Sequence, residues 1–417
     1  MGYQQGLSGL AGASNALDVI GNNIANANTV GFKSSTAQFA DMYANSIATS
    51  VNTQIGIGTS LASVQQQFSQ GAINTTSSSL DVAINGNGFF QMSNNGVTTY
   101  TRDGTFQRDK NGYIVNAQGM NLMGYAADKN GVINTSQTVA LQAPTTNIAP
   151  TATTRISAQF NLNSQDTTPT KSPIDPSDNT TYNYSTSIQV YDSLGGSQAV
   201  SMYFVKSGAG TWEAYAGVQG SGTPTDLGTV TFDSSGAIQG TTLANSGTPA
   251  TPTASLGQFQ FTVPNTDGSA TPQTMTLDLT GTTQYGGKDG VNNLAQDGYA
   301  SGTLTTYSIG TDGKLTGNYS NGQTAVLGQI ALANFNNPNG LISLGGNQYA
   351  ESADSGVPQI SAPGTTNHGS LQGSALENSN VDLTSELVNL ITAQRNYQAN
   401  AQTIKTQQTV DQTLINL

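Results

Sequence analysis

From Ser374 to Leu417 the chain contains neither Gly nor Pro, although 48 Gly and 13 Pro occur earlier. Within that tail Leu383, Leu387, Leu390, Gln394, Tyr397, Ala401 and Ile404 follow 4-3 spacing, before the stripe shifts to Val410, Leu414 and Leu417. Such spacing predicts one long helix with an apolar seam, about 50 Å long at 1.5 Å per residue. Asp382 is the expected N-cap, and Glu386 suits the positive end of the helix dipole. The opposite terminus carries a second stripe, Leu7, Leu10, Ala13, Leu17, Ile20, Ile24 and Ala27, predicting a helix over about 3–27. Gly6, Gly9, Gly12 and Gly21 weaken that helix by up to about 1 kcal/mol each. Alone it would be largely unfolded, so the two helices are expected to order by packing.

Between these ends the hydrophobic period changes to two. Residues 186–191, 200–204, 259–263 and 275–279 alternate as half-buried strands do. Asp109–Gly112, Asp128–Gly131, Asp192–Gly195, Asp233–Gly236 and Asp312–Gly313 read as turns, where Asp closes the loop and Gly takes positive φ. Asn85-Gly86-Asn87-Gly88 reads as a hairpin. The fold class expected is mainly β with coiled terminal helices: an inner helical domain, then two antiparallel β domains, the second inserted in the first. The boundaries read as 1–32 and 372–417 for the helices, 33–70 for a connecting segment, 71–143 and 285–371 for the first β domain, and 144–284 for the insert.

The chemical inventory is thin. The chain has no Cys, one His and a net charge of −12, with only 9% charged residues. That excludes thiolate chemistry and Cys-ligated metal and disfavours binding to nucleic acid or anionic lipid. His368 lies in a loop-like Thr-Thr-Asn-His-Gly-Ser run, which builds no triad and no multi-His metal site. The Asp residues have turn or cap explanations, Gly56-Ile-Gly58 completes no phosphate loop, and the Asp-x-Asn-Gly runs lack the ligand spacing of calcium loops. No catalytic residue, metal or cofactor is expected, and neither is a membrane span. The N-terminus lacks the charged and apolar regions of a cleaved signal.

Specific motifs sit at both ends. Residues 17–33 read Leu-Asp-Val-Ile-Gly-Asn-Asn-Ile-Ala-Asn-Ala-Asn-Thr-Val-Gly-Phe-Lys, and 380–405 include Gln394-Arg395-Asn396-Tyr397. With residues 80–90 and 319–335, they resemble the bacterial flagellar rod and hook family, over both ends and the first β domain. The carried-over signature is Asn22, Asn23, Asn26, Asn28, Gly31, Phe32, Lys33, Gln394, Arg395 and Asn396. Asp41-Met42-Tyr43 and the long insert are similar to hook members; distal rod members usually lack a middle insert.

The resemblance implies a non-enzymatic subunit of a curved, flexible tube outside the cell. It would act as a universal joint, transmitting torque from the rod to the filament around an export channel. Self-assembly would run through Leu7, Leu10, Leu17, Ile20, Ile24, Leu383, Leu387, Leu390, Tyr397, Ile404 and Leu414. Implied partners are copies of itself, a hook cap, a distal rod protein, a hook–filament junction protein and the flagellar type III export apparatus, without a cleaved signal. Two alternatives stay open from the residues: a distal rod subunit, and a secreted adhesin or carbohydrate-binding β protein, which would not need matched terminal helices.

Overall fold

The computed structural model describes residues 2–42, 56–128, 130–144, 146–220, 222–244 and 256–415. Two compact units emerge, one of residues 1–145, 305–318 and 324–417, the other of 146–304 and 319–323.

The first unit holds both terminal helices, α1 (Gly2–Ala25) and α2 (Leu383–Ile415). Asp382 caps α2: its carboxylate accepts from the Thr384 and Ser385 amides at 2.8 and 3.3 Å. Two strands, β1 (Ser35–Met42) and β2 (Gly58–Gln66), form an antiparallel ribbon packed on α1. A two-stranded ribbon is marginal alone, so the helix supplies what a further strand would otherwise provide. Tyr43, which follows β1, lies outside the described residues.

Apart from one 3-10 turn at Pro338–Gly340, the regular structure in the rest of this unit is β among the described residues. Strands Phe89–Asn94, Val97–Thr101, Asn121–Ala126 and Thr324–Ile330 belong to one large sheet. Ile84, Phe90, Met92, Leu122, Leu332 and Leu371 fill one core. Phe89, Tyr100, Phe335 and Tyr349 form a second, with edge-to-face ring contacts. The returning chain then runs along the strands that left the N-terminal half. Ser370–Gly373 pairs with Val82–Asn85, and Ala375–Glu377 with Ile73–Thr75. Residues 85–88 are therefore not a hairpin, because Val82–Asn85 pairs with the C-terminal chain rather than with Phe89–Asn94. Gly86 and Gly88 take φ of 108° and 123° and turn the chain between two separate ladders.

The second unit is built from two sheets around a shared core. Tyr184–Tyr191, Ser197–Gly208, Thr211–Val218, Thr225–Phe232 and Ile238–Leu243 make a five-stranded antiparallel meander. Arg155–Asn163 lies in the other sheet, parallel to Gln273–Asp278 and Thr283–Tyr285 and antiparallel to Gly290–Gln296. Alternation marks a strand without fixing its direction, so these parallel pairs carry no sequence signal. Phe160, Phe204, Trp212, Phe259 and Met275 sit in the common core, fully buried. Pairing of Gly290–Gln296 with Arg155–Asn163 brings residues 285–304 into this unit rather than into the first β domain, where the sequence boundary at 284/285 puts them. Bridges Ile148–Gly302 and Thr151–Tyr299 bring its two ends together.

Candidate functional site: the terminal helices and their clasp

The helix pair closes through glycine. A Cβ on Gly6 would lie 2.9 Å from Ile404 Cγ1, and one on Gly9 would lie 2.7 Å from Asn400 Oδ1. On the ribbon side, a Cβ on Gly12 would meet Thr59 Cγ2 at 3.3 Å. Three of the glycines that cost α1 its intrinsic helicity, Gly6, Gly9 and Gly12, are thus positions where side chains of α2 or the ribbon approach closely. Ala13 and Asn23 are buried between them, while Leu7 remains 52% exposed and Leu10, Leu17, Ile20 and Ile24 are half-buried.

On α2 the face turned to α1 includes Glu386, Ala393, Asn400 and Ile404. A 4-3 pattern contains two neighbouring columns that share the positions of Leu390, Tyr397 and Ile404. Sequence spacing cannot choose between the second columns 387/394/401 and 386/393/400, which differ by one residue, or about 100° around the helix. Small residues opposite decide for Glu386, Ala393 and Asn400. Ala401 is still half-buried, but Leu383, Leu387, Val388, Ile391 and Tyr397 are left exposed. Gln394 and Arg395 are exposed as well, while Asn396, also exposed, borders the clefts that α2 shares with α1 and the ribbon. The side chain of Leu414, and Leu417 altogether, lie outside the described residues.

The Asn-rich end of α1 has a structural job. Asn23 donates to the Ser35 carbonyl at 2.8 Å and to Glu386 Oε1 at 3.1 Å, and accepts from the Ser35 amide at 2.9 Å. One carboxamide thereby joins α1, β1 and the first turn of α2. Asn26 donates to the Asn22 carbonyl at 3.0 Å and accepts from Thr29 Oγ1 at 3.1 Å, closing the helix end. Asn28 is exposed and Phe32 half-buried. Gly31 holds φ of 69°, and a Cβ there would meet the Asp103 amide nitrogen at 2.7 Å.

Next comes a buried charge cluster. Lys33 Nζ meets Glu377 Oε1 at 2.6 Å, and Arg102 Nη1 meets Glu377 Oε2 at 3.2 Å. Lys33 also donates to the Ser69 carbonyl at 2.8 Å, Arg102 to the Gly86 carbonyl at 2.9 Å, and the Gly71 amide to Glu377 at 2.8 Å. The Gly31 amide donates to the Glu377 carbonyl at 2.8 Å. Asn380 reinforces the knot, donating to the Gln67 carbonyl at 2.7 Å and accepting from the Ser34 amide at 2.7 Å. Burial pushes the Lys33 ammonium below its usual range, with Arg102 adding to the shift and Glu377 opposing it. Arg102 is likewise lowered by burial against the pull of Glu377. Lys33 was legible as a signature residue; Arg102 and Glu377 were not, and only a basic–acidic match across the whole chain could have flagged them.

His368 is buried, its Nε2 within 2.9 Å of the Gln359 carbonyl, and belongs to the packing of its loop. Among the described residues no group of three or more His, Asp or Glu side chains is placed to hold a metal, and no helix is long and apolar enough to cross a membrane.

The same segments are those that match known families. Residues 4–33 match the flagella basal body rod protein family, and 372–417 the flagellar basal body rod FlgEFG protein C-terminal family. Residues 83–163 match the flagellar hook protein FlgE/F/G D1 domain, and 161–299 the flagellar basal body protein FlaE D2 domain. The flagellar hook protein FlgE of Escherichia coli K12 is 42% identical over the full length of both chains, and that of Salmonella typhimurium 43%. The hook protein of Treponema pallidum is 33% identical over 99% of this chain and 98% of its own. This chain belongs to the flagellar hook protein family. Hook-family relatives align across the middle insert as well as the ends, which sets aside the distal rod and adhesin readings.

Proposed function

We propose that the chain is the structural, non-catalytic subunit of the flagellar hook, polymerising into a curved tube that encloses an export channel and works as a universal joint. Residues 1–32 and 372–417 line the tube, residues 33–70 connect, and the β domains lie outside. The observation that carries this reading is the uncovered apolar face of α2. Leu383, Leu387, Val388, Ile391 and Tyr397 all stand exposed on a helix whose other face already serves α1. Burying one such side chain contributes about 1.5–3 kcal/mol, a strong drive for lateral packing once copies align. Leu7 and Tyr3 extend the apolar surface onto α1. Subunits would leave through the type III apparatus without a cleaved signal, assemble under a cap, sit on a distal rod protein and receive a junction protein above.

Electron microscopy of the purified chain, seeded with hook fragments, tests this. Curved tubes of uniform diameter are the expected product. A chain that stays monomeric under every seeding condition refutes the reading.

A further inference from the structure

The clasp carries more positive charge than it neutralises. Lys33 and Arg102 share the single carboxylate of Glu377, and among the described residues no second acid pairs with either. Arg102 is almost fully buried, yet its Nε has no hydrogen-bond partner. An unsatisfied buried donor of this kind needs an account, and a cationic donor more so.

Arg102 borders a cleft of about 300 Å³, at the lower end of the range for small-molecule sites. Phe89, with the guanidinium over its ring at 5.3 Å to the centroid, Phe335 and Phe68 line its apolar part. Its polar part is made of carboxamides. Asn87, Asn336 and Asn367 line this cleft with solvent-exposed side chains, and among the described residues their Nδ2 groups donate no hydrogen bond. Asn336 uses only its oxygen, which accepts from Gln359 Nε2 at 3.2 Å. An excess positive charge, several unused N–H donors and an aromatic wall in one small cleft suit a single ligand chemistry.

We propose that this cleft is a carboxylate-binding site, with the carboxylate among the Asn336, Asn367 and Asn87 amides near Arg102 and a short apolar body against Phe89 and Phe335. Two sources supply that group: a free small organic acid, or an acidic side chain of a second copy of this chain. Charge-assisted donation from amides to an ionised oxygen, with Arg102 supplying the field, provides the attraction.

Acetate is the probe. Saturation-transfer proton NMR on the full-length monomer should show the acetate methyl receiving saturation from aromatic protons, and sodium chloride at equal ionic strength should not compete it away. The response should saturate with a dissociation constant on the order of millimolar, as suits a few-atom ligand. Asn336→Asp keeps the oxygen that Gln359 uses but replaces the free donor with negative charge. It should weaken acetate about tenfold or more, roughly 1.4 kcal/mol, without moving the thermal midpoint. Seeded polymer separates the sources. Acetate bound equally by monomer and polymer assigns the cleft to free acids, whereas acetate bound by monomer alone assigns it to a neighbour's Asp or Glu. Absence of saturable transfer in the monomer, or transfer undiminished in Asn336→Asp, overturns the proposal.

Discussion

Lys33 and Glu377 lie 344 positions apart and meet at 2.6 Å with neither side chain exposed to water. Through this contact the start of the connecting segment is tied to the strand that precedes α2. Arg102 fixes the same carboxylate to the β body. Buried pairs of this kind add little net stability when made but are costly to break from one side.

Glu377→Gln should therefore destabilise the first unit by about 3–5 kcal/mol, because Lys33 and Arg102 are left buried without a counter-charge. Urea unfolding of the full chain, followed by hydrogen exchange at the Gly31 and Gly71 amides, reads this loss. Both amides donate to Glu377, one to its backbone carbonyl and one to its side chain. Trp212, the only Trp, lies in the core of the second unit, so its fluorescence transition should be unchanged. The same contact bears on truncation. A fragment of residues 33–371 lacks Glu377, and it should be less stable than one of residues 31–380.

A pH effect is expected in the second unit. Burial first, and the charge of Asp166 next, hold the Asp289 carboxyl above its ordinary range. The Asn163 amide donates to Asp289 at 2.7 Å, while Asn163 Nδ2 donates to Asp166 at 2.9 Å, so one residue holds the two acids side by side. Lys206 Nζ spends its charge on the Ser164 and Asp166 carbonyls, at 2.6 and 2.8 Å. A carboxyl with a raised pKa in the folded state contributes stability that is complete below its unfolded pKa. That contribution is lost as pH rises through the folded value. Asp289→Asn keeps an acceptor for the Asn163 amide and removes the second charge. It should raise the Trp212-monitored midpoint at about pH 7 more than at about pH 4. Equal effects at both pH values would remove Asp289 from the pH dependence.

The turns were the most legible part of this sequence, because their chemistry is local. Asp109 Oδ1 accepts from the Asn111 and Tyr113 amides, and Asp233 Oδ1 from the Ser235 and Ala237 amides, with Gly112 and Gly236 at positive φ. The terminal helices were legible for the same reason, period and cap being local signals. What stayed hidden depends on partners far along the chain. Nothing near Glu377 marks it as the acid for Lys33, and nothing near Gly290 marks the following strand as a partner for Arg155–Asn163. Hydrophobicity marks only part of the contact between α1 and α2: Ala13 and Ile20 of the apolar stripe border α2, but so do glycines that no hydrophobic pattern singles out. Gly6 and Gly9 score as neutral, yet their missing Cβ atoms are what admit Ile404 and Asn400.

Those glycines give an internally controlled test. Gly21 has no neighbour within 4 Å of an added Cβ, so Gly21→Ala should stabilise α1 by about 0.5–1 kcal/mol. Gly9→Leu gains helix propensity too, but its side chain must occupy the space of Asn400, and overpacking of this kind costs about 1–3 kcal/mol. Circular dichroism of the helical transition should move in opposite directions for the two variants. Asn400→Gly should restore part of the Gly9→Leu loss. A stabilising Gly9→Leu would show that the helices do not close at this point.

Two neighbouring leucines on α2 separate folding from assembly. By spacing alone Leu390 is the middle of the seam, so Leu390→Asp is expected to spare the monomer and abolish the polymer. In the structure Leu390 is half-buried and one turn before the buried Ala393, whereas Leu387 is 48% exposed and Ile391 50%. Leu390→Asp should therefore lower the monomer's helical midpoint as well as assembly, since it places a charge at a position already half-buried within one subunit. Leu387→Asp should leave the monomer within about 0.5 kcal/mol of the parent, because its carboxylate faces water. In the tube the same carboxylate would be buried at every subunit contact, costing on the order of several kcal/mol per copy. Monomer melting and sedimentable polymer after seeding, measured on one preparation of each variant, give four readings. The expected set is an unchanged monomer midpoint with no polymer for Leu387→Asp, and a lowered midpoint with no polymer for Leu390→Asp. Normal tubes from Leu387→Asp would take the exposed face of α2 out of the assembly mechanism, and the intersubunit contact would then have to lie on α1 or the ribbon.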